Sequence, residues 1–187
     1  MIKNMRKIYF ATTNEYKLKY ANNILNKYGW KAISAKVELV EPQSMSQEEV
    51  SAFKVKQAYK QVKHPIVTMD SGVFIVSLNG FPGVYSNPIL KMLSNKHVFK
   101  LLENEADRSA YIQQTVSFYD GKLIKTFSSK ATGKIVQEKE GGNGVSIDGF
   151  FRTNTSDKIY GDMTENEKAK VWGQCWVELV HWLNEHL

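Results

Sequence analysis

The stretch VTMDSGVF, residues 67–74, is an apolar run with one carboxylate, Asp70, near its centre. An unpaired charge in a protein interior costs several kcal/mol, which is comparable with the net stability of a whole domain. Pro65 and the apolar residues after it predict a buried strand that ends at Met69, so we place Asp70 at a strand end. Its carboxylate therefore needs a cation, a partner side chain or an exposed ledge.

Two helical units are predicted before this stretch. Residues 8–11 form a short apolar strand that is followed by the polar turn 12–14, and apolar residues then recur at helical spacing between Leu18 and Tyr28. A second helix is predicted after Ser46, because Glu49 stands three residues later and completes a capping box.

The elements after the stretch alternate between helix and strand. They are turns at 79–83, a helix from Pro88 to about 103 with a break at 94–95, a hairpin over 115–127, a strand at 134–137, a loop at 141–144 and one final helix. Asp120-Gly121 between apolar runs is a strong hairpin signal, and Thr164 with Glu167 predicts the cap of the final helix. No repeat or linker is visible, so we interpret residues 1–187 as a single mixed α/β domain.

The composition excludes several classes of protein. Hydrophobic residues make up 42% of the 187 residues, as in soluble globular proteins, and no run of about 18 apolar residues suggests a membrane span. Cys175 is the only cysteine, which excludes an intrachain disulfide and a thiolate metal site and agrees with a cytoplasmic location. The formal charge of +6 favours an anionic partner, although no run of like charges predicts a polybasic arm.

Polar residues gather at three element ends, at 12–17, at 41–43 and at 70–72. Thr12 and Asn14 stand where a helix begins, and a helix N-terminus offers free N–H groups and a positive dipole end to an anion. Lys17 lies one turn further and can reach back. Ordinary helix capping explains the threonine and the asparagine as well as phosphate binding does.

These segments together resemble one family, the inosine triphosphate pyrophosphatases, over nearly the whole chain. The matching segments are ATTNEYK (11–17), EPQSMSQEEVSAFKVKQAY (41–59), MDSGVFIVSLNGFPGVYSN (69–87), GGNGVSIDGFF (141–151) and MTENEKAK (163–170). The resemblance implies an α/β fold with an elongated mixed β-sheet flanked by helices, and two lobes around a central nucleotide-binding cleft. It also implies hydrolysis of non-standard purine nucleoside triphosphates to the monophosphate and pyrophosphate, with Mg²⁺ as cofactor, and a homodimer.

The resemblance assigns roles to individual residues. Asp70 is implied as a metal ligand and proton acceptor, Glu41 as the second metal carboxylate, and Lys54 as a catalytic cation beside the triphosphate. The implied substrate-binding residues are Thr12, Asn14, Lys17, Ser71, Gly72, Asp148, Lys168 and Gln174. The four histidines are scattered along the sequence and are interpreted as surface residues, so no nitrogen-rich metal site is predicted. The remaining carboxylate oxygens are the ligands that Mg²⁺ prefers.

The sequence departs from the family pattern at three places. Met69 stands where the family has a first acidic residue, Val145 where its base-binding loop has an aromatic residue, and 172–174 read Trp-Gly-Gln in place of Ser-His-Arg. The base preference is therefore expected to differ from the family norm. Because Gln174 can donate and accept, we hypothesise that the pocket takes a 6-amino or modified purine. Trp172 is either a stacking platform for the base, a core residue or a dimer contact.

Two other functions stay open at this point. The same departures are compatible with a nucleotide-binding or regulatory relative that has little catalytic activity. A basic single-strand nucleic-acid binder fits the net charge, but the chain lacks the stripe of basic and aromatic residues typical of such proteins. We therefore predict an enzyme with a purine nucleotide substrate and with neither a nucleic acid nor a membrane as partner.

Overall fold

The computed structural model describes residues 5–136 and 149–187, so the predicted loop at 141–144 and the residues Val145 and Asp148 lie outside the described residues. The strands are β1 Arg6–Ala11, β2 Trp30–Ala35, β3 Ile66–Ile75, β4 Ser109–Tyr119, β5 Ile124–Ile135 and β6 Phe151–Thr153. The helices are α1 Glu15–Leu25, α2 Gln47–Val62, α3 Ser86–Met92, α4 Asn95–Leu101, α5 Glu165–Trp172 and α6 Gln174–His186. No helix in these ranges is both long enough and apolar enough to cross a membrane.

The strands form one mixed sheet in the order β2-β1-β3-β4-β5-β6. Strand β1 pairs in parallel with β2 and β3, whereas β5 and β6 are antiparallel. The predicted hairpin joins β4 to β5, and its turn is fixed by Asp120, whose Oδ1 accepts from the N–H groups of Lys122 and Leu123 at 2.8 Å and 2.7 Å. The predicted mixed α/β fold with a helix-flanked sheet is confirmed.

The chain divides into two compact units. The first comprises residues up to Asp70 together with Gln114–Ser129 and Gly173–Leu187, and the second comprises Ser71–Gln113 and Lys130–Trp172. The core of the first unit includes an edge-on contact between Phe10 and Trp176, whose ring centroids are 5.2 Å apart. In the second unit the half-buried rings of Phe74 and Tyr111 stack, with their centroids 4.9 Å apart.

Several elements differ from the prediction, and one of the differences concerns Asp70. Strand β2 was not predicted, and β5 runs unbroken through residues 128–133, which were expected to separate two strands. Strand β3 continues through Asp70 to Ile75, so the carboxylate lies inside a strand rather than at its end. The continuation is stabilised within the second unit, because the Val73 N–H donates to Ser86 Oγ at 2.8 Å. Helix α3 begins at Ser86, two residues before the predicted start at Pro88.

The predicted final helix is in fact two helices. Gly173 has no side chain to stabilise a helix interior, and it ends α5 and serves as the N-cap of α6. The cap of α5 agrees with the prediction, because the Thr164 N–H donates to Glu167 Oε2 at 2.7 Å and the Glu167 N–H donates to Thr164 Oγ1 at 3.3 Å. Ser46 likewise caps α2, but the carboxylate of Glu49 bonds to Ser44 instead of closing the predicted box.

Gly133 sets how closely β5 and β6 approach in the second unit. A Cβ added there would lie 2.2 Å from the carbonyl oxygen of Arg152, a backbone atom that cannot turn aside. Gly133→Ala is therefore expected to destabilise the protein by about 1–3 kcal/mol, which corresponds to a fall in Tm of roughly 2–4 °C per kcal/mol. A thermal melt followed by circular dichroism measures it.

Gly29→Ala is the matched control for this prediction. Gly29 has a φ of +82° and nothing within 4 Å of an added Cβ, so alanine brings backbone strain without a collision. We expect it to cost about 1 kcal/mol. Equal melting temperatures for the wild type and Gly133→Ala would contradict the packing argument.

Candidate functional site

Three elements of the first unit bring charged side chains together. Lys54 from α2 donates from Nζ to Oε1 of Glu41 at 2.7 Å and to Oδ1 of Asp70 at 2.5 Å. Glu41 belongs to the segment 36–46, which lies between β2 and α2, and Asp70 belongs to β3. The carboxylate in the middle of the apolar run therefore has a cationic partner, and the two predicted metal ligands meet at one ammonium group.

This cluster is graded from buried to exposed. The side chains of Lys54 and Asp70 are 11% and 14% exposed, whereas that of Glu41 is 57% exposed. Burial disfavours the Lys54 cation, but the charge of Asp70 and the hydrogen bonds to both carboxylates outweigh burial and raise its pKa. Lys54 is therefore a permanent cation near neutral pH.

One oxygen of Asp70 is left over. Oδ2 is buried and has no hydrogen-bond partner within the described ranges, although Oδ1 is bonded to Lys54. Buried polar atoms without a partner are rare in proteins and call for an explanation such as a bound ion or a catalytic role. The free oxygen is a site where a cation or a water molecule can be held.

A buried hydroxyl pair fixes the helix against the strand. Ser51 and Thr68 have their side-chain oxygens 3.2 Å apart, and Thr68 also donates to the carbonyl oxygen of Ser51 at 3.1 Å. Ser51 lies one turn before Lys54 on α2, and Thr68 lies two residues before Asp70 on β3. The pair therefore sets the register in which Lys54 reaches Asp70, and sequence reasoning did not find it.

The side chains at the start of α1 cap the helix, which was one of the two roles considered for Thr12 and Asn14, beside phosphate binding. The Oδ1 atom of Asn14 accepts from the Lys17 N–H at 3.2 Å, and Thr12 Oγ1 accepts from the Asn14 N–H at 3.1 Å. Lys17 extends to β3, where its Nζ donates to the carbonyl oxygen of Met69 at 3.4 Å. Burial, together with the nearby charge of Lys54, lowers the pKa of Lys17 despite the attraction of Asp70.

Ser71 and Gly72 follow Asp70 in β3. Ser71 is exposed and Gly72 is buried. A Cβ at Gly72 would lie 2.3 Å from the carbonyl oxygen of Gly83, so close backbone packing within the second unit already requires glycine there. The predicted approach of a phosphate to this glycine remains a prediction.

The predicted base-contacting residues have separate surroundings. Lys168 in the second unit is 8% exposed and lies over the ring of Tyr160, with Nζ 4.6 Å from its centroid. Trp172 is buried and its ring centroid is 4.3 Å from that of Tyr160, so the structure favours the core interpretation. Gln174 in the first unit is exposed and donates to Glu178 Oε1 at 3.1 Å. Asp148 lies outside the described residues.

The donor set of the cluster suits a hard cation. The described part of the chain contains no group of three or more histidine, cysteine, aspartate or glutamate side chains that could hold a metal ion. Mg²⁺, however, is commonly bound by one or two carboxylates with water and substrate phosphates. The exposed carboxylate of Glu41 and the buried, unpartnered Oδ2 of Asp70 fit that requirement. The four histidines are exposed, as predicted.

Fold and site together define a mixed-sheet α/β protein with a lysine held between two carboxylates. The family model described as the Ham1 family matches residues 8–174. The chain belongs to this family, which confirms the resemblance found from the sequence motifs. It is 35% identical over 184 residues to a dITP/XTP pyrophosphatase of Pyrococcus horikoshii, covering 97% of this chain and 98% of that protein. A dITP/XTP pyrophosphatase of Thermococcus kodakarensis is 32% identical over 180 residues, covering 95% and 97%.

Solved structures agree with this assignment. A HAM1 protein from Coxiella burnetii superimposes with a TM-score of 0.84 at 26% identity, covering 97% of this chain and 100% of that one. The Ham1 protein of Staphylococcus aureus has a TM-score of 0.79 at 24% identity, with the same coverage, and supports the fold.

Proposed function

We propose that the protein is a Mg²⁺-dependent pyrophosphohydrolase that converts a non-standard or modified purine nucleoside triphosphate, ribo or deoxyribo, to the monophosphate and pyrophosphate. Membership of the Ham1 family supports the proposal, as do relatives named dITP/XTP pyrophosphatases. The observation that carries it is the buried, unpartnered Oδ2 of Asp70 beside the Lys54 ion pairs. Most buried polar atoms in proteins are hydrogen-bonded, so an unpartnered carboxylate oxygen beside a lysine supports a bound cation or a catalytic role.

The proposed reaction is attack of water on the α-phosphorus. A P–O bond forms to the water oxygen, the bond between the α-phosphorus and the bridging oxygen breaks, and pyrophosphate leaves with that oxygen. One proton of the water must be accepted by a base. Asp70 is the candidate, because its Oδ2 is free to accept while Lys54 holds Oδ1 in place.

Charge is the main obstacle to this reaction. Glu41 and Asp70 are the residues that would hold Mg²⁺, which neutralises phosphate oxygens and lowers the pKa of bound water when present. Lys54 places a permanent positive charge between the two carboxylates. Lys17 supplies a second amino group, whose pKa is lowered by burial. A polyanion bound nearby would favour its protonated form. Both lysines can therefore stabilise negative charge that develops on the triphosphate.

Altered base preference is the finer part of the proposal. The positions of the family's Ser-His-Arg triplet hold Trp172, Gly173 and Gln174, and Trp172 is buried. We expect a 6-amino or modified purine triphosphate to be turned over faster than inosine triphosphate. A panel of nucleoside triphosphates with pyrophosphate detection measures it, and strong preference for inosine triphosphate over every aminopurine contradicts it.

The variant Gln174→Leu sharpens this test. Loss of the carboxamide is expected to reduce the discrimination between the preferred base and inosine about tenfold, since one good base contact contributes about 1–3 kcal/mol. Unchanged discrimination in the variant would exclude Gln174 as a base contact. Detection of pyrophosphate rather than orthophosphate verifies the bond that is cleaved.

The second candidate is a nucleotide-binding relative with negligible turnover. The absence of an acidic residue at Met69 favours it, since one carboxylate fewer weakens metal binding or water activation. Wild-type rates at background level, unchanged by loss of Asp70, would support it. The homodimer and the cytoplasmic location are also part of our proposal, and analytical ultracentrifugation tests the first.

A further inference from the structure

Two glutamines of α2 bind the backbone of the segment that carries Glu41. Gln57 donates from Nε2 to the carbonyl oxygen of Val40 at 2.7 Å and accepts from the Val40 N–H at 3.2 Å. Gln61 forms the same pair with Glu38, at 2.7 Å and 3.3 Å. Each carboxamide therefore satisfies both backbone groups of one residue, as an adjacent strand would. We call these two pairs the glutamine clamp.

The spacing of the clamp matches a helix to an extended chain. Gln57 and Gln61 are four residues apart, which is about 6.0 Å along a helix. Glu38 and Val40 are two residues apart, which is about 6.6 Å along an extended chain. Both pairs can therefore form without distortion. Pro42 has no N–H group, so the same two-bond pairing cannot continue there.

Few other contacts hold this segment in place. Residues 36–45 belong to no helix or strand, and in the described ranges they make no backbone-to-backbone hydrogen bond. Val37 and Leu39 pack against the core, but Val40 is 70% exposed. Side-chain packing therefore stops before Glu41. The clamp holds the backbone on the N-terminal side of Glu41, and Ser44, which donates to Glu49 Oε2 at 2.7 Å, holds it on the other side.

The ion pair of Glu41 follows directly on the clamp. Lys54, Gln57 and Gln61 stand at positions i, i+3 and i+7 of α2, which places them along one stripe of the helix. Because Glu41 is 57% exposed, its ion pair with Lys54 is worth little by itself and cannot order the segment. The backbone must be positioned first.

We propose that Gln57 and Gln61 are positioning residues, which hold Glu41 at Lys54 and so keep the two carboxylates of the site within reach of one cation. The inference rests on the proposed function of Glu41 and Asp70 as the metal carboxylates. It differs from that function in assigning the placement of Glu41 to side chains that touch neither metal nor substrate.

The test is the double variant Gln57→Leu/Gln61→Leu. Leucine keeps the helix propensity of glutamine and removes every donor and acceptor of the clamp. Hydrogen exchange at the amides of Glu38 and Val40 is expected to accelerate at least tenfold. Binding of Mn²⁺ without nucleotide, followed by electron paramagnetic resonance, is expected to weaken about tenfold.

Kinetics separate positioning from general stability. The Mg²⁺ concentration for half-maximal rate is expected to rise about tenfold in the double variant, with kcat at saturating Mg²⁺ within twofold of the wild type. Gln57→Glu/Gln61→Glu keeps the acceptor and loses the donor, so it should fall between the two. The control Lys56→Leu/Lys60→Leu changes two exposed residues of the same helix and should move none of these quantities.

Two results would overturn the inference. Unchanged exchange at both amides in the leucine variant means that the clamp does not protect the segment. Faster exchange with unchanged Mn²⁺ binding means that Glu41 finds its place without it. If the wild type hydrolyses no triphosphate, only the proposed function fails, because exchange and Mn²⁺ binding still decide for or against the clamp.

Discussion

Asp70→Asn is expected to reduce the rate of triphosphate hydrolysis about a thousandfold, at the upper end of what loss of one charge-stabilising group costs. Asparagine has nearly the shape of aspartate, but it carries no charge and its amide nitrogen cannot accept a proton or bind a cation. The free Oδ2 of Asp70 is the atom on which the proposed chemistry depends. Pyrophosphate release under saturating Mg²⁺ measures the effect.

The fold of this variant must be verified by circular dichroism, because Lys54 keeps only Glu41 as an ionic partner in the described part of the chain. Glu185→Gln, which neutralises an exposed carboxylate on α6, is the control and should retain full activity. A folded Asp70→Asn protein that keeps more than a tenth of the wild-type rate would rule out Asp70 as the essential carboxylate.

Lys54→Met is expected to lower the hydrolysis rate about a hundredfold and, at the same time, to tighten Mn²⁺ binding in the absence of nucleotide about tenfold. Methionine fills a similar volume without charge, so the developing negative charge on the phosphates loses a cation. The carboxylates of Glu41 and Asp70 lose their shared counter-charge, which makes them a better site for a divalent cation. Kinetics and electron paramagnetic resonance measure the two effects.

Opposite signs in the two measurements distinguish this variant from one that is merely unfolded. Lys60→Met, at an exposed position of α2, is the matched control and should change neither quantity. A parallel loss of rate and of Mn²⁺ binding in a folded Lys54→Met protein would contradict the assigned role.

The raised pKa of Lys54 also makes the stability of the fold depend on pH. A lysine whose folded pKa exceeds 10.5 stabilises the protein fully below that pH, and this contribution is lost as pH rises through the folded value. Alkaline melting curves of the wild type should therefore show a loss of stability above pH 10.5 that Lys54→Met lacks.

Local signals were sufficient for most of the fold. The turn at Asp120, the cap at Thr164 and the hydrophobic periodicity of α1 each depend on neighbouring residues, and the structure agrees with all three. The extent of β3 depends instead on Ser86, thirteen residues beyond its contact at Val73, and no local pattern reports such a bond. The break at Gly173 could have been predicted from the sequence, because glycine has a low helix propensity and often ends a helix.

The candidate site was predictable as a set of residues but not as an arrangement. Motif resemblance selected Glu41, Lys54 and Asp70. Only the structure shows that the lysine pairs with both carboxylates. The glutamine clamp left a weak signal, since Gln57 and Gln61 share a helical stripe with Lys54. The sequence does not reveal that both glutamines bind the backbone of the segment that carries Glu41.

Cys175, the single cysteine of the chain, is fully buried in the first unit, and burial raises the pKa of its thiol to about 12. Thiol-directed reagents need the thiolate and access to it, so the native protein should stay unlabelled by maleimides near neutral pH. A cysteine introduced on the surface would then carry a fluorophore or spin label alone. Because Cys175 does not react in the native protein, the extent of its labelling measures the fraction of molecules in which the first unit has unfolded.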